Sequence, residues 1–189
     1  MADKDLTGKR VLTLVSNYGV EQDELLVPLR HLREAGADVD VAAVSRDTIK
    51  TLVGDKDPGE SVEPVMTLAQ ADPTAYDLLL LPGGTLNADA LRMQDTAIGI
   101  VRAFTSAGNS VAAICHGPWA LVEAAVLKGK SLTSYPSLST DIRNAGGDWV
   151  DQAAVSDSSG GWTLVTSRTP DDLGPFLQEI EAALTGATD

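Results

Sequence analysis

The stretch S-V-A-A-I-C-H-G-P-W, residues 110–119, is the most informative about the fold of this chain, because its pattern changes from a buried strand to a helix within a few residues. The apolar run S-V-A-A-I-C is typical of a strand that is covered on both faces, as in a parallel sheet. Pro118 suits the first position of the helix that follows. The turn between them contains the only cysteine, Cys115, and His116, one of two histidines. The decisive turn of the fold therefore carries a side chain of high intrinsic nucleophilicity.

The alternation of buried strand and helix continues on both sides of this turn. Residues 45–75 are less regular, and we interpret them as a surface hairpin or loop with a weak helix near T-L-A-Q-A. The pattern predicts an α/β three-layer sandwich with a mainly parallel sheet, as one domain over residues 1–189 with a polar leader at residues 1–8. Buried-strand patterns lie at residues 10–16, 38–44, 77–84 and 110–115, helical patterns at 22–36, 89–107, 117–126, 138–147 and 170–184, and a hairpin pattern at 154–167.

The charge and composition exclude several classes of function. The chain has 14 basic and 27 acidic residues, a net charge of -13, so its field repels phosphate backbones and anionic lipids. We therefore expect neither direct nucleic-acid binding nor membrane association. One cysteine and two histidines are too few for a structural zinc site, and we expect no metal and no cofactor. A lone cysteine and a start without the apolar core of a secretion signal favour a cytoplasmic protein.

Two interpretations of Cys115 are open from the residues alone. As a buried strand residue it would be a small hydrophobe. As the centre of a nucleophile elbow it would need small neighbours, and Ala113 and Gly117 meet that need. The adjoining helix N-terminus would then lower the pKa of the thiol. The spacing does not decide whether the imidazole of His116 reaches the sulfur. We favour the functional interpretation.

Two further loops are expected at the same edge of the sheet. Gly83 and Gly84 end the strand L-L-L-L-P-G-G, and their amides, with that of His116, would stabilise an oxyanion, although a simple turn is the alternative. The loop S-N-Y-G-V-E-Q-D-E-L follows the first strand. We predict that its Glu21 lies against the thiol as a proton donor, and that Asp23 and Glu24 are ordinary acids at a helix N-terminus.

A set of ordered motifs strongly resembles the DJ-1/PfpI superfamily, in particular its branch of PfpI-type intracellular proteases and general stress proteins. The likeness runs from about Arg10 to Ile180. It implies a flavodoxin-like sandwich with a reactive cysteine at Cys115, a glutamate hydrogen-bonded to the sulfur at Glu21 and a histidine at His116. The motifs are E-Q-D-E-L-L, L-L-L-L-P-G-G, A-I-C-H-G-P, T-S-Y-P, D-I-R-N-A-G-G-D-W-V-D and V-T-S-R-T-P-D-D-L.

The resemblance also implies a homodimer or higher homo-oligomer. In PfpI-like proteins an acid from a neighbouring subunit completes the catalytic triad, and the matching position is Asp89. Here the sequence departs from the family pattern, because Asp replaces a longer Glu and the loop is one residue longer. The loop before Glu21 is also a residue longer, although Glu24-Leu25 keeps its register.

The leading hypothesis is a stress-response cysteine hydrolase of the PfpI type. Its substrates would be peptides or groups modified by glyoxal or methylglyoxal, attacked by the Cys115 thiolate. The alternative is a non-catalytic redox or stress sensor, or a chaperone, that uses oxidation of Cys115. A class I glutamine amidotransferase needs a distant histidine toward the carboxyl end. Because no histidine follows His116, we reject that class.

Overall fold

The structure is a computed structural model that describes residues 5–186. No helix within these residues has the length and apolar character needed to cross a membrane. The strands are β1 Arg10–Val15, β2 Tyr18–Glu21, β3 Asp38–Ala43, β4 Ile49–Val53, β5 Asp57–Val62, β6 Met66–Thr67, β7 Leu78–Leu81, β8 Ser110–Ile114, β9 Ser131–Leu132, β10 Asp148–Trp149, β11 Ala154–Asp157 and β12 Leu164–Ser167. The helices are α1 Gln22–Glu34, α2 Thr85–Arg92, α3 Asp95–Ala107, α4 Trp119–Ala124, α5 Ser139–Asn144 and α6 Leu173–Thr185.

A central sheet of seven strands has the order β11-β12-β8-β7-β1-β3-β6. Neighbouring strands pair in parallel except for the edge pair β11 and β12, which is antiparallel. In the middle of the sheet Leu80 lies opposite Ala112. The prediction of a mainly parallel sheet is confirmed.

The two faces of this sheet bury separate cores. Leu78 and Leu80 of β7 pack on the face covered by α1 and α6, whereas Leu79 and Leu81 pack on the face covered by α3 and α4. Successive side chains of a strand point to opposite faces, so a strand between two helical layers must be apolar at every position. The four consecutive leucines of β7 are explained by burial on both faces of the sheet. The prediction of a three-layer sandwich is confirmed.

The single helix predicted over residues 89–107 is wrong in its bounds. The structure has two helices there, and the chain becomes extended at Gln94 between them. The two helices on either side of the break pack against different elements. The helix α2 packs on β2 above the strand ends, whereas α3 packs against β7 and β8. The helix α2 also begins earlier than predicted, directly after Gly84.

The less regular segment contains the predicted hairpin, formed by β4 and β5. The weak helix near T-L-A-Q-A is a single 3₁₀ turn at Leu68–Gln70. The strand β2 was not predicted; it pairs with β4 and extends the hairpin into a small three-stranded sheet beside the central one. This small sheet brings the hairpin tip, residues 54–56, toward the end of the central strands.

The predicted polar leader lies partly outside the described residues, which begin at residue 5. Within the described part Leu6 is fully buried, and its N–H donates to the carbonyl of Ala35 at 2.8 Å. This end of the leader is therefore attached to the C-terminus of α1 rather than free in solvent.

Candidate active site

The loops after β1, β7 and β8 meet at the carboxyl edge of the central sheet. They enclose an open cavity of about 420 Å³. A depression of about 590 Å³ lies at the opposite edge, beside Arg10 and Asp38, and its lining contains arginines and aspartates but no nucleophilic side chain among the described residues. The cavity at the carboxyl edge is lined by Glu21, Asp23, Glu24, Gly54, Asp55, Thr85, Cys115, His116, Tyr135, Thr169 and Pro170.

Cys115 follows β8 in a strained backbone conformation. Its φ is 60°, in the left-handed region that non-glycine residues seldom adopt. The flanking chain keeps it there, since its N–H donates to the carbonyl of Ser167 at 3.0 Å and its own carbonyl accepts from the N–H of Tyr135 at 2.9 Å. A Cβ at Gly117 would lie 2.2 Å from the carbonyl oxygen of Leu81, so the turn needs glycine there. The backbone thus has the sharp strand-to-helix turn of a nucleophile elbow.

Glu24, not Glu21, lies against the sulfur. The carboxyl of Glu24 is completely buried in α1, and its Oε2 accepts the N–H of Gly83 at 2.7 Å. Burial raises the pKa of Glu24 to about 8, while its hydrogen bonds to the Gly83 N–H and to the Cys115 thiol act in the opposite direction. At neutral pH this carboxyl therefore keeps its proton and is a donor facing the sulfur.

The expected contact of Glu21 with the thiol is corrected by the structure. Glu21 ends β2 and faces the β4–β5 hairpin, where its two carboxylate oxygens accept the N–H groups of Gly54 and Asp55, each at 3.2 Å. One signal in the sequence could have identified Glu24. It stands beside Leu25 and four residues before Pro28, both buried, so helical periodicity places it on the apolar face of α1.

The predicted lowering of the Cys115 pKa is also corrected. The residue is 7% exposed, and burial, followed by the charge of Glu24, raises the pKa of the thiol. The amide N–H groups of Gly84 and His116 point at the sulfur and act in the opposite direction. The charge of Glu24 disappears when that carboxyl is protonated. The two groups therefore titrate as a coupled pair, and the thiolate is favoured only while Glu24 holds a proton.

The predicted set of oxyanion donors changes by one residue. The N–H of Gly83 is occupied by Glu24, whereas those of Gly84 and His116 are directed at the sulfur. Glycine is still required at position 83, because a Cβ would lie 2.6 Å from Glu24 Oε2 and 2.8 Å from Cys115 Cβ. The Gly83 N–H therefore binds the carboxyl of Glu24, and the N–H groups of Gly84 and His116 are the two that face Cys115 Sγ.

His116 reaches the sulfur, a point that the spacing left open. Its Nδ1 lies 3.2 Å from Cys115 Sγ, and its ring stacks on Tyr135 with 4.7 Å between centroids. The other ring nitrogen, Nε2, lies 3.4 Å from Thr85 Oγ1 and 3.5 Å from Ser137 Oγ. Burial lowers the pKa of His116, and nearby Asp55 opposes this effect. A neutral imidazole in contact with a thiol can act as a general base.

Asp89 is exposed on α2 and does not line the cavity. Its predicted role needs a second copy of the chain, so a contribution to His116 in trans stays a prediction. The acid near His116 in the same chain is Asp55, which accepts hydrogen bonds from Thr85 at the start of α2. Neither Asp55 nor Thr85 was singled out in the sequence, because they lie 30 residues apart and no local pattern joins them.

Asn87 is a further residue that the sequence did not reveal. It is completely buried, its Oδ1 accepts the N–H of Ser16 at 2.7 Å, and its Nδ2 donates to the carbonyls of Pro82 and Gly83 at 3.2 and 2.9 Å. One side chain thus joins the loops that follow β1 and β7. The residues of T-L-N-A-D-A-L-R contain no local pattern that marks Asn87.

Replacing Asn87 with alanine is expected to lower the free energy of unfolding by about 2–4 kcal/mol, because it leaves three buried polar groups without partners. Urea unfolding measures this change. Asn144→Ala, on α5, is the matched control and is expected to cost less than about 1 kcal/mol. Equal losses in the two variants would contradict the bridging role.

Comparison with known proteins places the chain in a family. Residues 9–183 match the sequence model of the DJ-1/PfpI family. The chain belongs to this family. Its DJ-1/PfpI relatives include the deglycase PH1704 of Pyrococcus horikoshii, 39% identical over 90% of this chain and 96% of that protein. General stress protein 18 of Bacillus subtilis is 35% identical over 94% of this chain and 98% of that protein.

The solved structures agree with this assignment. DJ-1beta of Drosophila melanogaster superposes with a TM-score of 0.83 at 32% sequence identity, covering 94% of this chain and 91% of the other. The resemblance inferred from the motifs is confirmed, and so is the flavodoxin-like DJ-1/PfpI fold.

Proposed function

We propose that this protein is a stress-related, cysteine-dependent hydrolase that removes glyoxal- or methylglyoxal-derived adducts from amino, guanidino or thiol groups. The observation that carries the proposal is the placement of Cys115 Sγ at a strained turn, 3.2 Å from His116 Nδ1 and beside a carboxyl whose pKa is raised to about 8. A base, a nucleophile and a protonated acid are thus within reach of one another. The name of the deglycase relative PH1704 supports this substrate class.

The proposed reaction begins when His116 Nδ1 accepts the thiol proton and Cys115 Sγ attacks the carbon of the adduct that carries the modified group. A sulfur–carbon bond forms, the bond from that carbon to the nitrogen or sulfur of the modified group breaks, and Glu24 protonates the leaving group. Glu24 then moves a proton from this carbon to the neighbouring carbonyl carbon through an enediolate, whose negative oxygen accepts from the N–H groups of Gly84 and His116. The resulting 2-hydroxyacyl thioester is hydrolysed by water, which releases a 2-hydroxy acid and restores the thiol.

The charge of the cavity favours adducts of basic side chains. Carboxylates of Glu21, Asp23 and Asp55 line it, and no lysine or arginine is among its described lining residues. An adduct on an arginine or lysine side chain brings a neutral or positive group, which this lining attracts, whereas an anionic substrate is repelled. We further propose that the protein acts as a homo-oligomer in which Asp89 of a second copy approaches the site.

The test uses preformed methylglyoxal adducts of N-acetylarginine and N-acetylcysteine. We expect the protein to release the free amino acid derivative at a rate that keeps rising with protein concentration, followed by mass spectrometry. If the protein consumes only free methylglyoxal, the release rate instead reaches a plateau equal to the rate of spontaneous dissociation of the adduct. That plateau would contradict the proposal. An inert protein whose Cys115 becomes oxidised under mild peroxide would support the sensor hypothesis, since it has no second cysteine to form an internal disulfide.

A further inference from the structure

A chain of hydrogen bonds leads away from His116 on the side opposite the sulfur. Asp55 Oδ1 accepts the backbone N–H of Thr85 at 2.9 Å, and Asp55 Oδ2 accepts the Thr85 hydroxyl at 2.6 Å. Thr85 Oγ1 in turn lies 3.4 Å from His116 Nε2. With the 3.2 Å contact between His116 Nδ1 and Cys115 Sγ, four side chains form one continuous line.

The direction of these hydrogen bonds follows from the groups involved. A carboxylate only accepts, so the single hydroxyl proton of Thr85 is committed to Asp55. Thr85 Oγ1 then presents only lone pairs to the imidazole and must accept a proton from Nε2. A neutral imidazole carries one ring proton, and a proton on Nε2 leaves Nδ1 bare. The nitrogen beside the sulfur is therefore an acceptor.

The position of Asp55 is held by its surroundings. It lies at the tip of the β4–β5 hairpin with a φ of 57°, a left-handed turn conformation that aspartate tolerates better than most residues. The carboxylate of Glu21 accepts the N–H groups of both Gly54 and Asp55 and so fixes this tip. The backbone of Asp55 is held by a buried acid and its carboxylate is bound to Thr85 at two points, so the position of this carboxylate is well defined.

The other neighbours of the imidazole are compatible with this direction. Ser137 Oγ lies 3.5 Å from His116 Nε2, and a serine hydroxyl can rotate to accept as readily as to donate. The stacked ring of Tyr135 fixes the plane of the imidazole without favouring either nitrogen. Of the two hydroxyls near Nε2, only that of Thr85 has its proton committed to another residue, Asp55.

We infer that Asp55, acting through Thr85, is a positioning residue that keeps the proton of His116 on Nε2, so that Nδ1 is free to accept the proton of Cys115. This inference deepens the proposed function and rests on it for the role of the thiol. The tautomer itself can be measured without any substrate, so the two claims can fail separately.

The direct test is ¹⁵N NMR of the two histidines, which distinguishes protonated from bare ring nitrogens. His31, whose Nε2 is bound to Glu181 at 2.7 Å, is assigned with a His31→Gln variant. We expect the neutral form of His116 to carry its proton on Nε2 in the wild type. In Asp55→Asn the new amide donates to Thr85 Oγ1, the hydroxyl turns toward Nε2, and the proton is expected to move to Nδ1.

Kinetics provide the second readout. Thr85→Val keeps the backbone N–H bond to Asp55 but removes the hydroxyl, and we expect the rate of Cys115 alkylation and kcat for adduct hydrolysis to fall roughly tenfold. Thr85→Ser is expected to restore both rates to within about twofold, which a purely structural defect at this helix start would not predict. Asp57→Asn, exposed on the same hairpin, is the matched control and leaves the tautomer unchanged.

The outcomes separate the two claims. A wild-type His116 with its proton on Nδ1, or an Asp55→Asn variant with an unchanged tautomer, overturns the inference. A tautomer that responds as expected, in a protein that hydrolyses no adduct, supports the inference and contradicts the proposed function.

Discussion

Cys115→Ser is expected to lower the rate of adduct hydrolysis by at least about a thousandfold, because a serine hydroxyl is a far weaker acid than a thiol and stays protonated beside His116. The replacement is nearly isosteric, and both side chains meet the same left-handed backbone at φ 60°. The fold is therefore expected to survive. Initial rates of N-acetylarginine release from its methylglyoxal adduct measure the effect.

The thermal midpoint of the variant provides the control, and it is expected to stay within a few degrees of the wild-type value. Under that condition a loss of rate reports chemistry rather than unfolding. A folded Cys115→Ser protein with more than a tenth of the wild-type rate would show that another group carries out the reaction.

Glu24→Gln is expected to remove a large pH dependence of stability. Burial raises the pKa of this carboxyl from its ordinary value of 4.5 to about 8 in the folded protein. Between these values the folded state binds one more proton than the unfolded state, so the free energy of unfolding falls as pH rises. This rise in pKa corresponds to a loss on the order of 5 kcal/mol in the free energy of unfolding between pH 4.5 and 8. Because glutamine cannot ionise, the free energy of unfolding of Glu24→Gln is expected to lack this decrease with pH.

Urea unfolding of both proteins from pH 4.5 to 9 measures this difference. Glu21→Gln is the comparison at a nearby acid, and it is expected to keep the slope, because Glu21 faces the hairpin rather than the sulfur. Turnover by Glu24→Gln is expected to fall about a hundredfold through loss of the proton donor. If Glu21→Gln removed the slope and Glu24→Gln retained it, the assignment of the acid would be reversed.

The fold could be predicted because its signals are local. Four consecutive leucines in β7 indicate a strand that is buried on both faces. The small residues around Cys115 indicate a sharp turn, and neither pattern depends on residues far away in the sequence. The break near Gln94 could not be predicted, because α2 is placed by Asn87, which binds loops up to 71 residues away.

The site was less predictable, since the sequence supplies candidates but not distances. Glu21 and Glu24 are both acids near the start of α1, and only the packing of that helix on the sheet turns Glu24 inward and Glu21 toward the hairpin. The same packing occupies the Gly83 amide and leaves the Gly84 amide facing the sulfur.

By itself the sequence determined the parallel sheet, the turn at Cys115 and the family, because alternating burial and small turn residues are properties of neighbouring positions. The tertiary structure alone decided which carboxyl lies against the sulfur and how Asp55 and Thr85 reach His116. These relations join loops at the ends of different strands, and their geometry depends on strand order and register, which no short segment of the chain contains.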